Sequence, residues 1–346
     1  MGDKMKTHYA TVFSFLVYIL KNNYLIFTYL FIPLLMKDYQ NTSYIAPLIF
    51  LVVCFLMILI LPKKIGEVKY NEILNKSFIA KLSYYIVQFI MLVLNVVIVS
   101  YTISRIFFYN YNIILFIIAT VLVVIYISTS DIEVILNSSS FLFLIAILLI
   151  IFPVFLANEV KDFTLLMPFF EFEGMSLLLI FYFILDAIST ILNGAKIKGK
   201  ISKWKLSIPI FIMLLFMTLE LLNIIVITGT TYLLNNEFLG FFTLFIQDTI
   251  NYIGNLGLFF LYVIPVVGCY KAGYCLRNIK NGFKIKDNLF HNILFFIILV
   301  FLTSVIIYYT DIPKLSFILV LISTILLSFT YIFIIINRSQ NYEIKF

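Results

Sequence analysis

Residues 9–36 read YATVFSFLVYIL, then KNN, then YLIFTYLFIPLLM, and residues 181–190 read FYFILDAIST. Both are apolar runs interrupted by groups that hydrocarbon rejects: Lys21, Asn22 and Asn23 in the first, Asp186 in the second. A matched pair of broken hydrophobic segments, one opening each half of a chain, points to a transporter-type binding site near the middle of a membrane.

Of 346 residues, 63% are hydrophobic and 12% are charged. Ordinary soluble domains carry about 25% charged residues, so the composition is that of an integral membrane protein. The net charge of +7 is not gathered into a basic patch interleaved with aromatics, and no nucleic-acid partner is expected. The three cysteines, Cys54, Cys269 and Cys275, lie in or beside apolar runs without CxxC spacing and read as small packing residues. The two histidines, His8 and His291, are too few and too far apart for a histidine-based metal or catalytic site. No phosphate loop or soluble domain is found, and no cofactor is expected. The N-terminal run after Lys4 and Lys6 lacks a small-residue cleavage site and is read as retained.

A crossing helix needs about 20 apolar residues for roughly 30 Å of hydrocarbon. On that rule ten helices are predicted at about 9–36, 43–61, 82–108, 112–129, 138–157, 175–193, 206–228, 250–273, 288–308 and 315–337. The first is too long for one straight crossing and is read as two half-helices around a break. The loop after the second span holds Lys63, Lys64, Lys69, Lys76 and Lys81; that after the sixth holds Lys196, Lys198, Lys200, Lys203 and Lys205; that after the eighth holds Lys271, Arg277, Lys280, Lys284 and Lys286. All three are even-numbered loops, so the excess of lysine places both termini in the cytoplasm of a multi-pass cell-membrane protein. The segment 229–249 follows the seventh span on the outer side and is read as an extracytoplasmic lid or surface helix.

Asp186 is expected to face the bundle interior with a partner or water, because an ionisable group inside a membrane costs a few kcal/mol even on lenient scales. Its role is either a ligand or ion site or a structural hydrogen bond. Ser189 stands three residues on, on the same helix face. Lys21 is a candidate partner for Asp186, with Asn22 and Asn23 as neutral ligands; alternatively Lys21 snorkels to the interface. Glu220 and Asn223 share a helix face, as do Asn251 and Asn255, each set open to a site or a packing reading. Arg105 reads as an interface anchor. The candidate ligand-binding set is therefore Lys21, Asn22, Asn23, Asp186, Ser189, Glu220, Asn251 and Asn255.

Several segments resemble the B-subunit permease family of bacterial spore germinant receptors, a branch of the amino acid-polyamine-organocation superfamily. Ser130-Asp131-Ile132-Glu133-Val134 is similar to that family's Gly-Leu-Glu-type turn. Leu165-Leu166-Met167-Pro168 with Gly174 resembles its Leu-x-Pro approach to the sixth helix, and Phe245-Ile246-Gln247-Asp248 resembles its Gln-Arg-Ile-Glu element, with Gln247 where the family has arginine. The resemblance implies an all-α, LeuT-like fold of two inverted five-helix repeats, about 9–157 and 175–337, with helices 1 and 6 broken. It also implies a membrane subunit that binds a small polar germinant such as an amino acid, sits in the spore inner membrane and works in a hetero-oligomer with a soluble-domain membrane subunit and a lipoprotein. A secondary amino acid or cation transporter working alone is the alternative. An enzyme is not expected, because the largest outer loop has no Lys, Arg or His.

Overall fold

Apolar runs long enough to bury their own backbone hydrogen bonds become helices, since hydrocarbon offers no other partner for N–H and C=O groups. The computed structural model describes residues 9–21, 35, 43–60, 70–107, 111–138, 140, 176–190, 197–198, 203–235 and 256–339, and helix accounts for 89% of them. In chain order they form β1 (Ala10–Thr11), α1 (Val12–Lys21), α2 (Ile45–Ile60), α3 (Tyr70–Asn75), α4 (Phe78–Phe107) and α5 (Ile113–Thr129). There follow α6 (Ile132–Ser138), α7 (Ser176–Ser189), β2 (Ile197–Lys198), α8 (Lys203–Asn235), α9 (Leu256–Gly282), α10 (Leu289–Tyr309) and α11 (Ile312–Ser339).

Three described helices are long and apolar enough to cross a membrane alone: Phe78–Ser104 within α4, Leu289–Tyr309, and Lys314–Asn337 within α11. Helices α5 and α6 make a fourth only if taken together, and they meet at 116°. The bend has a local cause. Ser130 is extended and gives its N–H to the Ile127 carbonyl, which ends α5, while the Ile135 N–H bonds to the Asp131 carbonyl and starts α6. The protein is thus a largely helical membrane protein.

Helix α9 lies at the centre, against α4 on one side and α5 on another, and α11 covers α4 and α7. Helix α2 rests on α8 and α7, and α1 rests on α8. Residues buried at these contacts include Tyr18, Tyr84, Val97, Ile184, Leu214 and Cys275, whereas α10 turns Ile293, Ile297 and Phe301 outward, as a lipid-facing surface requires.

Several boundaries depart from the sequence reading. Helix α8 runs on to Asn235, so the segment expected as a lid at 229–249 begins inside this helix, and its remainder lies outside the described residues. Helix α9 continues to Gly282, well beyond the expected end at 273. Helix α7 passes through Asp186 without interruption; within the described residues the expected break of the sixth helix is not seen. The fifth expected span, apart from Ser138 and Ser140, lies outside the described residues, as do Asn22 and Asn23 of the first break.

The residues read as even-numbered loops come together through a chain of contacts. Ala10 and Thr11 pair in parallel with Ile197 and Lys198. Asn137 uses both ends of its carboxamide on the same segment: its Oδ1 accepts from the Thr11 N–H at 3.3 Å and its Nδ2 donates to the Tyr9 carbonyl at 2.9 Å. Arg277 on α9 reaches Asp131 at 2.8 Å, and the Phe283 ring past the end of α9 meets Tyr85 and the Lys81 ammonium near the start of α4. The N-terminal segment and the loops after the second, fourth, sixth and eighth expected spans are therefore linked, which hydropathy alone does not require.

Candidate functional site

A lysine and an aspartate meet inside the bundle. Lys271 Nζ on α9 donates to Asp186 Oδ2 on α7 at 2.9 Å, and the two side chains are 2% and 1% exposed. Charges so deeply buried persist only when paired, because each would otherwise forfeit its hydration. The end of α7 is tied locally: the Ser189 hydroxyl donates to the Asp186 carbonyl at 2.8 Å, and the Thr190 hydroxyl donates to the Ala187 carbonyl. Ser189 thus holds the backbone that presents Asp186.

Helical geometry explains how one helix serves two clusters. At about 100° per residue, Lys271, Tyr274, Cys275 and Asn278 fall on one face of α9, and Gly273, Arg277 and Lys280 fall on the opposite one. The first face looks into the α1, α4 and α7 contact. The Tyr274 ring lies 4.7 Å from that of Tyr18 on α1, centroid to centroid and tilted by 43°. Asn278 Nδ2 donates to the Tyr84 hydroxyl of α4 at 2.6 Å. Tyr18, Tyr182 and Cys275 are all within electrostatic reach of Asp186. Tyrosines suit such a place, offering an apolar ring to the packing and a hydroxyl to the polar centre.

The second face lies on α5. A Cβ at Gly273 would stand 2.5 Å from Cγ2 of Ile127 and 3.3 Å from the Val124 carbonyl oxygen, so only glycine lets the two backbones come this close. Further along the same face, Arg277, one turn on, bonds Asp131 at 2.8 Å and Asp287 at 3.4 Å, and Lys280, two turns on, donates from Nζ to Ser128 Oγ at 3.0 Å, to Asp287 at 3.0 Å and to Asn292 at 2.8 Å. This cluster joins α5, α6, α9 and the start of α10.

Of the sequence candidates, the structure sets Asp186 and Ser189 in the buried centre. Lys21 closes α1 one turn after Tyr18, but its side chain lies outside the described residues, as does that of Glu220 on α8; Asn22, Asn23, Asn251 and Asn255 lie outside them altogether. The described partner of Asp186 is Lys271, which the sequence reading did not propose; the expected pairing with Lys21 falls outside the described residues.

In comparisons with known proteins, neither a family model nor a curated sequence matches the chain. The functional reading accordingly stands on its own residues. Lys271, Arg277 and Lys280 read as loop charges in the sequence, yet all three belong to α9 and Lys271 and Lys280 are buried. Averaged hydropathy ends the span at 273, two residues past the first cation, although positions 271, 274, 275 and 278 keep helical spacing through that point. That spacing was the available signal.

Proposed function

We propose that the protein is a polytopic permease-type subunit that binds a small polar solute at the Asp186–Lys271 pair, and that it serves as the membrane subunit of a spore nutrient-germinant receptor. The observation that carries the reading is the ion pair itself, buried between two helices, with Tyr18 and Tyr182 close to Asp186 and Tyr274 packed on Tyr18. A carboxylate on the solute replaces Asp186 at Lys271, an ammonium replaces Lys271 at Asp186, and an amino acid offers both. Such exchange keeps every charge matched while it separates α7 from α9, and a ligand shifts a conformational equilibrium only through such differential contacts. The resemblance of the 130–134, 165–174 and 245–248 segments to the germinant-receptor permeases supports the receptor assignment, with a soluble-domain subunit and a lipoprotein as partners. Both termini are assigned to the cytoplasm, where the linked even-numbered loops would lie.

The test is germination of spores carrying Asp186→Asn or Lys271→Gln, with membrane levels of the protein measured in parallel. Loss of the amino acid response at normal levels is expected. A normal response in both variants removes the site, and uptake of amino acid into proteoliposomes by the chain alone replaces the receptor with a transporter.

A further inference from the structure

We infer that the surface where the end of α9 meets the start of α4 is a binding site for the headgroup of an anionic phospholipid. It begins with a backbone anomaly. Lys284 has φ of 53°, the left-handed region that costs an L-residue roughly 1–2 kcal/mol and where glycine is the usual choice. The turn is a well-formed helix stop, in which the Ile285 N–H reaches back to the Lys280 carbonyl at 2.8 Å and the Lys284 N–H to the Asn281 carbonyl at 3.2 Å. A lysine kept where glycine folds more easily directs attention to what its ammonium does.

Its surroundings suit a membrane surface. Lys284 and Lys286 are exposed on the turn, beside Phe283, and the Lys81 ammonium lies 5.9 Å from the centre of the Phe283 ring. Phe78 and Ile79 at the start of α4, and Leu289 and Phe290 at the start of α10, are 64–77% exposed. The described carboxylates nearby do not cancel the lysines: Asp287 is engaged by Arg277 and Lys280, and Asp131 by Arg277. Among the described residues what is left is a positive surplus of Lys81, Lys284 and Lys286 bordered by apolar side chains, at one end of a helix bundle. Lysines over aromatic and aliphatic flanks match a phosphate-bearing headgroup above its acyl chains, and each interfacial lysine contributes about a fivefold gain in affinity for anionic lipid. A free phosphate would use the lysines but not the apolar border. The inference requires only that the protein be embedded in a membrane, not that it be a receptor.

The test uses the full chain in mixed micelles of phosphatidylglycerol and phosphatidylcholine, with bound lipid counted by native mass spectrometry. Preferential retention of phosphatidylglycerol is expected, weakened by salt, and not competed by inorganic phosphate at matched ionic strength. Lys81→Gln, Lys284→Gln and Lys286→Gln together should lower affinity on the order of a hundredfold, at about fivefold per charge. Lys284→Gly separates charge from folding: it should melt no lower than the wild type, because the turn then holds glycine, yet bind phosphatidylglycerol about fivefold more weakly. Equal retention of the two lipids by the wild type overturns the assignment and leaves the surface to an acidic protein segment. Unchanged binding in the triple variant, or in Lys284→Gly, overturns it as well.

Discussion

Replacing Asp186 by alanine leaves the Lys271 ammonium buried without its carboxylate, and the cost follows from the geometry. The pair is 1–2% exposed and 2.9 Å apart, so the remaining charge cannot reach water without moving α9. Breaking one partner of such a pair costs about 3–5 kcal/mol, whereas replacing both by apolar residues of similar size is close to neutral or stabilising. Asp186→Ala and Lys271→Ala should therefore each lower the unfolding free energy by about that amount, while Asp186→Leu with Lys271→Met should return it to within about 1 kcal/mol of the wild type. Titration with a denaturing detergent in bicelles measures all four proteins. Either of two outcomes overturns a buried ion pair here: single variants that lose less than about 1 kcal/mol, or a double variant as unstable as the two singles summed. If the pair is also the ligand site, the double variant is well folded and silent.

Two further predictions concern the packing around this centre. Gly273→Ala should destabilise by about 1–3 kcal/mol through overpacking, and Ile127→Ala in the same protein should recover part of the loss because Ile127 supplies the nearest atoms; an unchanged melting temperature in the single variant removes the close approach of α5 and α9. Asn137→Ala deletes the two hydrogen bonds that hold Tyr9 and Thr11, worth about 1–2 kcal/mol locally, so amide exchange at Thr11 should quicken roughly tenfold while exchange in α4 stays as it was. Unaltered exchange at Thr11 would show that β2 alone holds the segment.

Asp186 could be read from the sequence because its isolation among Phe183, Ile184, Leu185 and Ile188 leaves a buried carboxylate as the consistent choice. The positions of α4, α10 and α11 were legible for a related reason: each is a long apolar run with polar punctuation at both ends. Lys271 was not. Averaged hydropathy responds to the cations from Lys271 to Lys280 as a single loop signal, whereas the structure sorts them by helical angle, Lys271 inward to Asp186 and Arg277 and Lys280 to the opposite face. The pairing of β1 with β2 had no signature either, since two residues are too few to show alternation. Asn137 was equally silent. Its two hydrogen bonds span more than 120 positions, and nothing local marks it.

Asp186 and Lys271 sum to zero charge, and the electrical consequence is specific. A lone charge crossing the full membrane potential exchanges about 2.3 kcal/mol with every 100 mV, but two opposite charges that travel together exchange almost nothing. Displaced as a unit, the centre is indifferent to voltage. Once pulled apart along the membrane normal, it becomes a dipole that the membrane field can turn.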